Sequence, residues 1–198
     1  AITVTVGLIL VGAILIFIFE YANPLTIGEM SLFDKIQISL FQSVTSRTAG
    51  FATIPQENLT NASAAASIIL MLIGGSPVGT AGGMKTVTIA VLICSAFATI
   101  RNKNSATLFG RRISEESIKK AVSVVVMFLT ICATSTILLM ATSNASPIDA
   151  VYETVSATAT VGLSRNLTAT LNTFGKLIII VTMYFGRVGP ISLAIALG

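Results

Sequence analysis

The sequence contains no histidine and no tryptophan, and only 10% of its 198 residues are charged. Soluble domains carry about 25% charged residues, so this chain is not built to face water on all sides. Without histidine, the commonest metal ligand and proton-transfer group is missing. Only two cysteines occur, Cys94 and Cys132. Both lie in apolar runs without metal or redox spacing, and they read as small core residues. An intramembrane enzyme would need paired carboxylates, a Ser/Lys pair or a histidine within its spans. Asp149 and Glu153 share one short segment, but no second carboxylate faces them, so enzymatic chemistry is excluded. No bound cofactor is expected in this chain.

Hydrophobic residues make up 54% of the chain, with a mean hydropathy of +0.90. The first apolar run, Ile2 to Phe19, has no charge before it and no small-residue cleavage site after it. It is also longer than the apolar core of a signal peptide. The chain starts at Ala1, inside this run, and finishes at Gly198, inside another. Both ends read as cut, as in a fragment of a longer protein. Crossing a bilayer core of about 30 Å takes about 20 apolar residues in a helix. Four segments qualify: Ala1 to Phe19, Ala62 to Ile100, Ala121 to Met140, and Leu177 to Gly198 with Arg187 in its middle. The fold class expected is an all-α, multi-pass protein of the cell membrane.

Two shorter segments lie between the spans, Ser31 to Ser46 and Ser146 to Ala159. In the first, Phe33, Ile36, Leu40, Phe41 and Val44 recur at helical spacing. Each opens on a helix-start signal, Ser31 with Asp34 and Ser146 with Pro147 and Asp149. At 1.5 Å per residue such helices reach roughly 20 Å, too short to cross. They are expected as half-membrane helices that dip in and return.

The basic residues give the orientation. Arg101, Lys103, Arg111, Arg112, Lys119 and Lys120 cluster in one linker, which is expected to be cytoplasmic. This positive charge is a topology signal, not a nucleic-acid site. The chain then divides into a unit at 1–100, the linker at 101–120 and a second unit at 121–198. Each unit has the order span, half-helix, loop, span. At an offset of 112 residues Thr48 matches Thr160, Gly50 matches Gly162, Leu59 matches Leu171, Ile68 matches Ile180, Met71 matches Met183 and Gly74 matches Gly186. Further upstream the offset drops to 111, where Phe41 matches Tyr152. Each unit crosses an even number of times, so the two repeats are parallel, related by an axis along the membrane normal. Parallel re-entrant units around such an axis point to a central pore.

The half-helices run into TSRTAGF (Thr45 to Phe51) and TATVGLS (Thr158 to Ser164). The second is similar to the TVGYG signature of potassium filters, where backbone carbonyls replace the ion's water. Glycine tolerates the dihedrals such a loop requires. Thr, Ala and Val add no charge to trap the ion. The preceding helix aims its partly negative C-terminus at a cation. The candidate potassium-binding residues are Thr48, Ala49, Gly50, Thr160, Val161 and Gly162.

The runs FQSVTSRTAGF and VSATATVGLS resemble the third and fourth pore loops of the Trk/Ktr/HKT superfamily of potassium transporters. The resemblance implies the membrane pore subunit of such a system, with four units in one polypeptide, of which this chain would carry the third and fourth. It also implies a homodimer with one pore per subunit and a cytoplasmic ring of nucleotide-binding RCK subunits. Potassium would be the transported ion, with sodium as a coupling or activating ion.

The segment GGSPVGTAGGMK, Gly74 to Lys85, interrupts the second span. Gly costs a helix about 1 kcal/mol and Pro about 3, so Gly74, Gly75, Pro77, Gly79, Gly82 and Gly83 are expected to break it. The resemblance implies that this stretch, ending near Lys85, is an intramembrane gating loop below the filter. GTAGGMKT also approaches the phosphate-binding GxxxxGK[ST] motif, but Met84 separates Gly83 from Lys85 and no strand precedes it. Arg187 lies mid-span, where a charge usually faces a cavity or a partner. It is a candidate donor to loop carbonyls freed by the break. Arg47 and Arg165 flank the two loops and are expected on the outer side, paired with acids such as Glu57. The sequons at Asn58, Asn61, Asn144 and Asn166 all fall on that side. A secondary transporter of another solute is the competing reading, but it would need substrate-contacting side chains where this midplane offers mostly backbone.

Overall fold

In the computed structural model, residues 2–75, 82–101, 107–108 and 111–188 are described. The first unit consists of α1 (Ile2–Glu20), α2 (Leu32–Thr45), α3 (Asn61–Leu72) and α4 (Thr86–Ile100). The second consists of α5 (Glu115–Thr142), α6 (Pro147–Thr158), the short α7 (Leu167–Thr170) and α8 (Thr173–Val188). A minimal antiparallel ladder, β1 (Thr107–Leu108) with β2 (Arg111–Arg112), sits in the basic linker. Among the described residues this is the one pair of strands, and the all-α fold expected from sequence does not include it. The expected span from 62 to 100 is two helices, and its interruption falls at the glycines. Pro77 and Gly79 lie outside the described residues, as does the end of the fourth expected span.

Both short helices start where their caps predict. The Ser31 hydroxyl accepts from the Asp34 N–H and donates to its carboxylate. Ser146 and Asp149 repeat the arrangement, with Pro147 in the first turn. At 14 and 12 residues, α2 and α6 are about 21 and 18 Å long.

The helices α1 and α5 are long and apolar enough to cross a membrane. A soluble protein would bury such a helix, yet only 11% of the apolar window of α1 is buried. On α2 the apolar stripe read from sequence faces outward, with Phe33 75% exposed. Its buried side instead carries Lys35, Ser39, Gln42, Ser43 and Thr45. Its contact with α1 runs through small and polar side chains, the kind through which helices associate in lipid. One such contact is the Ser43 hydroxyl, which donates to the Ile9 carbonyl at 2.8 Å. It passes beside Gly12, where a Cβ would collide with Ser43 and Leu70.

In the second unit α6 is enclosed by α3, α5 and α8. Every residue from Tyr152 to Ala159 is buried. The main core cluster joins the units, bringing Met71 of α3 and Met84 to Phe128 and Cys132 of α5 and to Tyr152 and Val155 of α6.

Candidate functional site

Beyond their last turns, α2 and α6 lead into loops of the same backbone form. Thr48 has φ 73° and Gly50 φ 79°; Thr160 has φ 53° and Gly162 φ 95°. The residues between them, Ala49 and Val161, are not in the left-handed region. Glycine enters that region freely, but a β-branched threonine there is an outlier that costs about 1–3 kcal/mol. Such strain persists only where the surroundings impose it, and here the same strain recurs at an offset of 112 residues.

The loops are held at both ends. The Ala49 and Gly50 amides donate to the Thr45 carbonyl, each at 3.2 Å. The Thr45 hydroxyl accepts from the Phe51 amide at 2.8 Å and donates to the Phe51 carbonyl at 2.7 Å, closing the first loop. In the second, the Val161 amide donates to the Ser156 carbonyl at 2.9 Å. The buried Glu153 carboxylate then accepts from the Ser164 hydroxyl and from the Thr168 hydroxyl at 3.1 Å. The two loops also touch. A Cβ built on Gly50 would overlap the Val161 carbonyl, and the Cα of Gly50 lies 3.9 Å from a Cβ built on Gly162. All six sequence-predicted residues therefore sit in one pair of loops in mutual contact.

The break in the first unit lies against the same place. Ile73 and Met84 form a backbone bridge, and the Thr86 amide reaches the Gly75 carbonyl at 3.4 Å. The ends of the break are thus clasped together. Gly74 leaves no room for a Cβ against the Gly82 carbonyl, and Gly82 leaves none against Thr160 and the Ala159 carbonyl. Gly82 and Gly83 are needed here for close approach; Gly83, with φ 72°, also needs the left-handed conformation. Lys85 stands at the start of α4.

The arginines differ from expectation. Among the described residues Arg47 forms no ion pair with an acid such as Glu57. Its guanidinium donates to the Thr5 carbonyl in the opening turns of α1 and to the Gly74 carbonyl, both at 3.2 Å. Arg47 thus donates to the break at Gly74. Sequence reasoning passed it over because nothing in the chain order shows that α2 ends beside the start of α1. Arg165 does join an acid, but that acid is Asp149, at 2.6 Å, and not the Glu57 carboxylate. It also donates to the backbone carbonyls of Gln56, Leu59 and Glu57 in the first unit. Arg187 lies on α8 and lines a cavity of about 510 Å³ with Thr160, Gly162, Glu153 and Tyr184. A built Cβ on its neighbour Gly186 would strike the Thr158 carbonyl, so α8 passes close under the end of α6.

A polar chain that sequence reasoning missed runs beside the loops. Gln42 and Gln56 exchange amide hydrogen bonds at 2.6 and 3.2 Å. The Tyr152 hydroxyl donates to the same Gln56 oxygen at 3.0 Å. The available signal was Gln42 in a half-membrane helix, whereas Gln56, in the polar stretch Gln56–Asn58, looked like any loop residue.

Comparison with known proteins adds to this geometry. A family model described as "TrkH: Cation transport protein" matches residues 2–197. The chain is 38% identical over 187 residues to the Ktr system potassium uptake protein B of Vibrio alginolyticus, covering 94% of this chain and 41% of that one. It is 39% identical over 190 residues to the protein of the same name from Bacillus subtilis, covering 96% and 43%. It is 33% identical over 201 residues to the potassium/sodium uptake protein NtpJ of Enterococcus hirae, covering 100% and 44%. In fold it resembles the potassium transporter TrkH from Vibrio parahaemolyticus, with a TM-score of 0.81 at 22% identity, covering 100% of this chain and 43% of that one. The chain spans about two-fifths of the length of these proteins.

Proposed function

The chain belongs to the TrkH family of cation transport proteins, and on that premise we propose that it supplies two of the four units of a potassium-conducting pore. The family's members are transporters and not enzymes. In this reading, residues 1–100 and 121–198 are parallel pore repeats of a multi-pass membrane protein, and 101–120 is a cytoplasmic linker. Backbone carbonyls of Thr48, Ala49, Gly50, Thr160, Val161 and Gly162 take the place of potassium's water. The observation that carries the reading is the paired left-handed geometry at Thr48/Gly50 and Thr160/Gly162. In an extended chain successive residues alternate faces. Left-handed residues at alternate positions cancel that alternation, so that neighbouring carbonyls point to one side. Each loop follows the C-terminus of a short helix, where the dipole favours a cation.

The segment from Gly74 to Gly83 acts as the gate beneath the filter, with Gly75, Pro77, Gly79, Gly82 and Lys85 within or beside it and Arg187 holding it closed. The contact of Gly82 with Thr160 supports its position. The relatives' names support potassium as the cargo, and that of NtpJ supports sodium as a second ion. The resemblance to Ktr systems supports a homodimer in lipid with an RCK ring docked on the linker side.

The test is Gly50→Ser and Gly162→Ser, assayed by potassium and sodium uptake in cells lacking their own potassium transport. A side chain on Gly50 collides with the Val161 carbonyl, so discrimination against sodium should fall. Unchanged selectivity in both variants would overturn the filter assignment.

A further inference from the structure

Gln42, Gln56 and Tyr152 form a buried chain between the two units, and none of the three lies in the loops themselves. Gln42 sits on α2, three residues before Thr45, which closes the first loop. Gln56 follows that loop in a short 3-10 turn. Tyr152 stands on α6, at the heart of the core cluster. Their exposures are 0%, 2% and 0%, which leaves no water to substitute for a lost partner.

Both side-chain polar atoms of Gln56 are used. Its oxygen accepts from Gln42 and Tyr152, and its nitrogen donates to the Gln42 oxygen and, at 2.8 Å, to the Ile54 carbonyl. Its own backbone carbonyl accepts from Arg165. One residue therefore fixes α2, the exit of the first loop and α6 relative to one another. Where Gly50 meets Val161 and Gly162 the loops those helices carry approach through backbone, and glycine has no side chain there to set a spacing.

We propose that the Gln42–Gln56–Tyr152 chain is the brace that sets the separation of the two loops, and through it the preference for potassium over sodium. The three are positioning residues, and they do not touch the ion. The proposal rests on the filter reading given above. A dehydrated sodium ion is smaller than potassium, so carbonyls free to draw together would accommodate it better. Removing the brace should therefore raise sodium flux more than it changes potassium flux.

The experiment uses the full-length transporter, reconstituted in proteoliposomes, with potassium and sodium flux measured on the same preparation. Tyr152→Phe keeps the ring and removes only the donor. Gln42→Met removes the opposite end of the chain at nearly constant volume. A flux ratio does not depend on how much protein inserts, so a modest loss of stability leaves it readable. Each variant should raise the sodium-to-potassium flux ratio by about threefold to tenfold, the range that one buried hydrogen bond spans. The double variant should shift the ratio no further than the larger single, because both break one chain. A merely structural role would lower both fluxes together and leave the ratio fixed, and that outcome overturns the proposal. Gly50→Ser serves as the reference. If it alters the ratio while Tyr152→Phe and Gln42→Met do not, the brace is wrong and the filter stands. If none of the three alters it and Gly162→Ser does not either, the filter reading fails as well.

Discussion

Arg165 is enclosed by the two units that it joins. Its side chain is 8% exposed, and its guanidinium reaches one carboxylate and three backbone carbonyls. Truncation takes the guanidinium from Asp149, which keeps the Ser146 hydroxyl, and from three carbonyls, of which that of Gln56 keeps the Leu59 amide. Breaking a fully buried pair from one side costs about 3–5 kcal/mol, and with Asp149 29% exposed this one costs less. Arg165→Ala should accordingly lower the thermal unfolding temperature of the purified transporter. Arg165→Lys should recover only part of the loss, since an ammonium cannot span the same fork of acceptors. Equal unfolding temperatures for Arg165→Ala and wild type would show that the contact between units is held elsewhere. Arg47 makes the parallel case on the other loop. It ties the residue before Thr48 to the carbonyl of Gly74, so that loop and break share one donor. Its Nε finds no partner among the described residues.

At the scale of elements, the contrast between α2 and α6 follows from what surrounds each. Among the described helices α2 packs chiefly on α1, and its apolar stripe stays exposed. The helix α6 is wrapped by three neighbours and buries even its charged Glu153. The break between α3 and α4 is the other decisive element. Its two ends are clasped by the Ile73–Met84 bridge, which allows the stretch between them to be shortened without pulling the helices apart. Deleting 77–82 should raise potassium flux in proteoliposomes, and Arg187→Ala should raise it by less, with selectivity kept in both. Proteins that insert normally yet conduct no faster than wild type would remove the gate from this segment and leave Arg187 a structural role.

For the whole molecule, orientation rests on the six basic residues between 101 and 120. With Cys94 and Cys132 replaced, a cysteine at position 105 should resist a membrane-impermeant reagent applied to intact cells. One placed at Asn58 or Asn166 should react. Labelling at 105 from outside would invert the topology and take the docking face of a regulatory ring with it.

The sequence by itself determined the helices, the caps of α2 and α6, the break at the glycines and the matched loops. Each of these is a local matter of apolar length, a serine before an acid, or residues that a helix cannot hold. The outward turn of the α2 stripe was not legible, because periodicity reports that one face differs without saying which solvent it meets. Tertiary structure alone decided the partners of the polar residues. Arg47 reaches a carbonyl 27 residues away, Arg165 one 109 away, and Tyr152 a side chain 96 away. A hydrogen bond needs donor and acceptor within about 3 Å, and only tertiary packing, of α2 against the break for Arg47 and across the linker for Arg165 and Tyr152, brings residues so distant in sequence to that range.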